Sequence, residues 1–228
     1  MIGSTETAKK VISDSSTSIK KYSMELGGNA PFIVFDDADL DDAINIGAAI
    51  KFGNCGQICV AANRFFVHEK VYDKFLNGLI EKAKNLKIGY SEDLDFEIGP
   101  LISKKSRDRI TNLIKDTIDS GGNLEYGGGI PEMSGNWFEP TVISGINESM
   151  SIFHKEIFGP VASIIKFKYD DEVLNQANKT QYGLASYLFT KDKKRIDKFV
   201  DELDFGEIHV NGIKSVSYTH LTLPTKSG

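Results

Sequence analysis

The run Pro31-Phe32-Ile33-Val34-Phe35-Asp36-Asp37-Ala38-Asp39-Leu40, followed by Ala43, Ile44, Gly47, Ala48 and Ile50, decides the fold. Phe32–Phe35 reads as a strand closed by aspartates. From Asp39 to about Asn54 the apolar positions recur at helical spacing, with Asp39 placed to cap the first turn. Next come a strand at Arg64–Val67 and a helix over about Val71–Leu86, with Phe75, Leu76, Leu79, Ile80 and Ala83 on one face. The alternation continues with a helix at Ser106–Ser120, stopped by Gly121-Gly122. Strands at Thr141–Ser144, Val161–Phe167, Ala185–Thr190 and Glu207–Asn211 then alternate with helices near Asp171–Asn178 and Lys193–Leu203. Upstream, about Thr5–Asp14 reads as a helix and Ile19–Leu26 as a strand. Alternation on this scale predicts an α/β fold, an open, largely parallel twisted sheet with helices on both faces.

Composition narrows the function classes. The 228 residues suffice for one large domain or two small ones, and 40% hydrophobic with 26% charged residues excludes a disordered chain. Lys plus Arg number 27 against 32 Asp plus Glu, a net charge of −5 with no free-standing basic block. A nucleic acid or an anionic membrane surface is therefore not an expected partner. No apolar stretch approaches the ~20 residues of a membrane span, and the first residues lack the basic and apolar regions of a signal peptide. Two cysteines, Cys55 and Cys59, exclude a disulfide framework and point to a reducing, cytoplasmic compartment. Both ends read as those of an incomplete protein. Gly3-Ser4-Thr5-Glu6 is a turn of the kind that follows a strand, with only Met1 and Ile2 before it. Ser215–Gly228 is rich in Ser and Thr, lacks acids, and reads as a non-native or disordered tail.

Four features can carry chemistry. Cys59, in Asn54-Cys55-Gly56-Gln57-Ile58-Cys59, lies on a glycine-bracketed turn, where a thiol is exposed and can serve as a nucleophile. A buried structural cysteine is the commoner role, and Cys55 fits it too; the residues alone leave both readings of Cys59 open. Glu25, at the end of the expected strand and before Gly27-Gly28, can be a general base or a solvated edge carboxylate. Glu156 and Phe158, ahead of Gly159-Pro160, can grip a ribose diol and pack on a flat ring, or simply turn the chain into the next strand. Gly3 and Ser4 open a helix whose N–H groups can meet a phosphate, or Ser4 is an ordinary cap.

Taken in order, Gly3-Ser4-Thr5-Glu6, Glu25-Leu26-Gly27-Gly28, Gly56-Gln57-Ile58-Cys59 and Glu156-Ile157-Phe158-Gly159-Pro160 resemble the NAD(P)-dependent aldehyde dehydrogenase superfamily. Phe35-Asp36-Asp37-Ala38-Asp39-Leu40, Gly127-Gly128-Gly129, Glu139-Pro140-Thr141-Val142 and Tyr182-Gly183-Leu184-Ala185 match as well. Lys20–Phe32 and Val60-Ala61-Ala62-Asn63-Arg64 look most like the succinate-semialdehyde and lactaldehyde branch. The resemblance implies that Cys59 attacks an aldehyde to give a thiohemiacetal, that NAD or NADP accepts hydride, and that Glu25 activates the water that hydrolyses the resulting thioester. It further implies that Glu156 holds the nicotinamide-side ribose with Phe158 beside the ring, while Gly3, Ser4 and the Leu26 carbonyl lie against the cofactor. Residues 1–26 would then be the end of a dinucleotide-binding domain, 27–212 the catalytic domain, and 215–228 the odd tail.

Departures from the pattern shape the expectation. Ala8 stands where the family's motif ends in glycine. The upstream half of the cofactor domain, with its oxyanion-hole asparagine and adenine-side lysine, and the downstream Pro-Phe-Gly-Gly segment with its pairing strand are not found. The chain alone is thus expected neither to bind the cofactor tightly nor to turn over, and the full-length protein's homo-oligomer is not expected of it. Two other classes are a catalytically silent family member and a cysteine hydrolase drawing a partner from His68, His154, His209 or His220. Of these, His68 and His154 read as surface residues.

Overall fold

The computed structural model describes residues 1–89 and 96–213. The tail at 215–228 and His220 lie outside the described residues. Helix α1 (Thr5–Asp14) begins at Ser4, whose Oγ accepts the Thr7 N–H at 3.2 Å. There follow β1 (Ala30–Val34), α2 (Leu40–Phe52), a 3-10 turn (Gly53–Gly56), β2 (Ala62–His68) and α3 (Tyr72–Asn85). Then come α4 (Lys104–Asp119), β3 (Asn123–Tyr126), β4 (Thr141–Ser144), α5 (Ser151–His154) and β5 (Val161–Phe167). The last elements are α6 (Asp170–Asn178), β6 (Ala185–Phe189), α7 (Lys193–Glu202) and β7 (Glu207–Val210). Asp39 caps α2 as expected, its side chain accepting from Asp42 N.

The strands form one sheet in the order β3-β4-β5-β2-β1-β6-β7. Every neighbouring pair is parallel except β3 with β4. Each residue of β1 and β2 is buried, which is why these strands read as unbroken apolar runs. Alternation along β2 sends Phe65 to one face and Arg64 and Phe66 to the other. Phe65 packs on Phe32 of β1 and Phe75 of α3, beneath Gly47 of α2, where a methyl would lie 3.1 Å from the Phe65 ring. Phe66 meets Phe153 of α5, and Arg64 reaches the end of α6. Helices therefore cover both faces.

Three elements differ from the sequence reading. Ile19–Leu26 is not a strand; it makes a single bridge, Ile2 with Glu25, and Ile19 is fully exposed. A strand needs a neighbour along its length, and this segment has one only at Met1–Gly3, through Glu25 N to Met1 O and Gly3 N to Glu25 O. The edge strand β3, Asn-Leu-Glu-Tyr, is largely exposed and only four residues long, too short for its alternation to announce it. Helix α5 is four residues long, too short for a helical period to show.

Candidate active site

Parallel topology brings the motifs together. Gly27-Gly28 leads into β1, Cys59 into β2 and Glu156–Gly159 into β5, and β5, β2 and β1 lie side by side. Segments entering adjacent parallel strands must meet at one edge of the sheet. That edge is the amino-terminal one, whereas the sequence reading put Glu25 at a carboxyl-terminal strand end, the usual ligand side of an open α/β sheet. Three glycines make the meeting close. A methyl on Gly28 would lie 2.1 Å from the Cys59 carbonyl oxygen, and one on Gly27 would lie 2.3 Å from Glu156 Oε2. Gly56, at φ +67, would set a methyl 2.1 Å from the Gly159 carbonyl oxygen. No other side chain permits all three approaches.

Cys59 sits on a tight turn closed by Ala61 N–H to the Ile58 carbonyl at 3.0 Å. It is half-buried, so less open than its glycine setting suggested. Ile58 and Val60 on either side of it help wall a cavity of about 230 Å³, together with Tyr187 and His209. The Tyr187 hydroxyl donates to the Val60 carbonyl at 2.9 Å and ties β6 to this turn. Glu25 is exposed, three residues before Gly28. Three residues of chain span at most about 11 Å, so Glu25 belongs to the same neighbourhood as Cys59. Gly3 donates its N–H to the Glu25 backbone carbonyl at 3.0 Å, which places Gly3 and the Ser4 cap of α1 beside the Glu25 backbone. Leu26 bridges Glu25 to the glycine pair. Glu156 accepts the Gly28 N–H at 3.0 Å through Oε1. Phe158 is part-exposed and held at φ +46, a left-handed conformation uncommon for a bulky residue.

An aldehyde dehydrogenase family model matches residues 1–223. The chain belongs to the aldehyde dehydrogenase family. It is 42% identical over 210 residues to succinate-semialdehyde dehydrogenase [NADP(+)] 2 of Schizosaccharomyces pombe, covering 92% of this chain and 43% of that protein. It is 40% identical to the 3-sulfolactaldehyde dehydrogenase of Pseudomonas putida, again with 92% of this chain and 43% of the relative. The crystal structure of succinate-semialdehyde dehydrogenase from Burkholderia pseudomallei superimposes with a TM-score of 0.91 at 39% identity, over 92% of this chain and 44% of that one. This aldehyde dehydrogenase chain thus spans less than half the length of the relatives it matches.

Around the three motifs the aldehyde dehydrogenase chain buries charge that the sequence did not announce. Burial raises the Glu156 carboxyl above its ordinary value, opposed by the Gly28 N–H and by the Arg109 and Lys51 cations. Arg109 of α4 donates to the carbonyls of Glu156 and Ile157. Lys51, fully buried at the end of α2, is pushed down to about 7 by desolvation, against the pull of Cys55 and Glu156. Cys55 is buried at φ +56 and its thiol is raised to about 12 by burial, a structural cysteine. Arg64 is buried too, lowered to about 9 by desolvation, and spends its donors on the carbonyls of Asn29, Gln176 and Ala177. Only a helix-phased lysine at Lys51 could have hinted at this cluster, and surface lysines share that phase.

Three of the four histidines fall among the described residues. His68 is buried against Phe167, contrary to its surface reading, because it closes β2 beside β5. His154 is exposed and bonds the Glu148 carbonyl. His209 stacks on Tyr187 at 4.9 Å and bonds Glu207. Among the described residues none of the three hydrogen-bonds Cys59.

Proposed function

We propose that this chain carries the catalytic part of an enzyme that oxidises a small aldehyde to its carboxylic acid with NADP or NAD as the hydride acceptor. The observation that carries this reading is the meeting of Gly27-Gly28, Cys59 and Glu156 at one sheet edge, with the glycines in contact distance of the other two segments. The names of the relatives, succinate-semialdehyde dehydrogenase [NADP(+)] and 3-sulfolactaldehyde dehydrogenase, support a semialdehyde or lactaldehyde-type substrate. We read residues 1–26 as the end of a cofactor domain and 27–212 as the catalytic domain, on the order of the motifs along the chain.

The residues present fit the nicotinamide-ribose end of such a cofactor. Glu156 is half-buried and uses Oε1 on Gly28; among the described residues Oε2 has no hydrogen-bond donor, which leaves it open to ribose hydroxyls. Phe158, part-exposed two residues on, offers an apolar face beside it. Gly3, Ser4 and the Leu26 carbonyl would complete the contacts. When bound, the nicotinamide supplies the hydride acceptor.

The rest of the chemistry belongs to the chain. The Cys59 thiolate adds to the aldehyde carbon, giving a thiohemiacetal whose oxyanion can be met by the Cys59 N–H. Among the described residues that N–H has no acceptor. Oxidation of the adduct leaves a thioester on Cys59. Glu25, exposed and three residues before Gly28, takes a proton from the water that attacks the thioester, and the acid leaves as the thiol is restored. The retained Glu25 favours this hydrolytic ending over acyl transfer to another thiol.

In the longer protein that contains this chain, Cys59→Ala abolishes cofactor reduction at 340 nm, and Glu25→Gln accumulates a thioester seen as added mass on the enzyme. Unchanged turnover in either variant sinks the corresponding role. The 228-residue chain alone gives no absorbance change; one that does removes the expectation of inactivity.

A further inference from the structure

We propose that Lys51 is a positioning residue for Glu156, a buried counter-charge that keeps the carboxylate ionised and aimed at the place where sugar hydroxyls dock. The inference rests on the reading of Glu156 as the ribose-binding carboxylate and adds a residue that acts through it. Lys51 is fully buried, and its ammonium has one side-chain hydrogen-bond partner among the described residues, Asn63 Oδ1 at 3.0 Å. Asn63 turns its amide the other way, Nδ2 donating to the Gly28 carbonyl at 3.2 Å. Gly28 in turn donates its N–H to Glu156 Oε1 at 3.0 Å. A chain of three hydrogen bonds therefore runs from the end of α2, through the start of β2 and the glycine pair, to the carboxylate.

The loop that carries Cys59 is built onto the same lysine. Gly56 packs so close that a methyl there would lie 2.9 Å from the Lys51 carbonyl. A buried ammonium is costly, and an apolar side chain of similar length would fill the space without that cost. What a lysine adds is charge. The groups facing it are the Cys55 thiol on the following turn, which burial keeps protonated, and the Glu156 carboxylate ahead of β5. Arg109 is a second cation near Glu156, held there by the Glu156 and Ile157 carbonyls. Burial alone would drive Glu156 toward its protonated form; the Gly28 N–H, Arg109 and Lys51 oppose this. An ionised carboxylate can accept from two ribose hydroxyls, whereas a protonated one gives up one of those positions to its own proton. Lys51 carries its charge below about pH 7 and loses it as pH rises through that value.

Carbon-13 NMR of the glutamate side-chain carboxyls in the 228-residue chain tests the coupling, with Glu156→Gln assigning the signal. In the unsubstituted chain the Glu156 signal shows its own titration and a second inflection near pH 7, from Lys51. Lys51→Met removes the second inflection and raises the proton affinity of Glu156 about threefold or more. A Glu156 titration identical in the two chains overturns the proposal. A merely structural lysine would change the denaturation midpoint and leave that titration alone. If Lys51→Met does not fold, Glu156→Gln is read at the Lys51 side chain instead. Coupling is reciprocal, so its proton affinity falls by the same factor, and an unmoved Lys51 overturns the proposal. Neither readout uses turnover, so loss of this coupling is distinguishable from failure of the Cys59 and Glu156 assignments.

Discussion

Gly28→Ala tests the contact on which the site depends. Gly28 is buried, and its φ is not in the left-handed region, so the backbone conformation itself is open to alanine. Only space forbids the change. The new methyl would lie 2.1 Å from the Cys59 carbonyl oxygen and 3.3 Å from its carbon, where ordinary contact begins at 3.4 Å, so about 1.3 Å must be found. Both neighbours are backbone and cannot rotate away. Overpacking of this kind costs about 1–3 kcal/mol. For a domain of this size, 2 kcal/mol lowers the melting temperature by about 4–8 °C. Thermal denaturation followed by circular dichroism reads it directly. Gly53→Ala is the control: it sits on the turn ahead of Cys59 at φ −52, and its methyl would meet nothing nearer than Ile58 at 3.9 Å. That variant stays within about 0.5 kcal/mol of the parent. A Gly28→Ala chain melting within about 1 °C of the parent would refute the close approach, and with it the geometry assigned to Cys59. Under the proposed function, a displacement on the order of 1 Å at Cys59 lowers kcat about 100-fold.

Arg64→Met leaves the buried carbonyls of Asn29 and Ala177 without the Arg64 donor and the part-buried Gln176 carbonyl with only the Lys179 N–H, and costs about 3 kcal/mol or more. A urea midpoint lowered by less than about 0.5 M would show that these carbonyls find other partners. The buried Lys51 also makes stability depend on pH. Its folded value of about 7 lies below the ordinary 10.5, so between them the unfolded chain holds a proton the folded chain has released. Stability therefore rises with pH across that window, by up to about 1.4 kcal/mol per pH unit. Cys55 acts oppositely above 9.0, because its folded thiol keeps a proton that the unfolded one loses. Urea midpoints at pH 7.5 and 8.5 isolate the lysine: the parent chain gains about 1 kcal/mol over Lys51→Met between them. Parallel pH curves for the two chains would rule this out.

The sequence by itself determined the class of fold, because long buried strands and amphipathic helices write their periods locally. Val161–Phe167 and Thr141–Ser144 begin and end where the apolar runs do, and Asp39 caps its helix as its position requires. It failed at Ile19–Leu26, since β-branched and apolar residues mark a strand only where a neighbour is there to pair with them. It also named Cys59, Glu25 and Glu156, through the family resemblance of the motifs around them. The tertiary structure decided what lies between those motifs. Gly28 and Glu156 are 128 residues apart, and only the parallel order β5-β2-β1 sets them side by side. Lys51, Asn63 and Arg109 gain their meaning there, because burial and charge are properties of three-dimensional neighbours and leave no periodic trace along the chain.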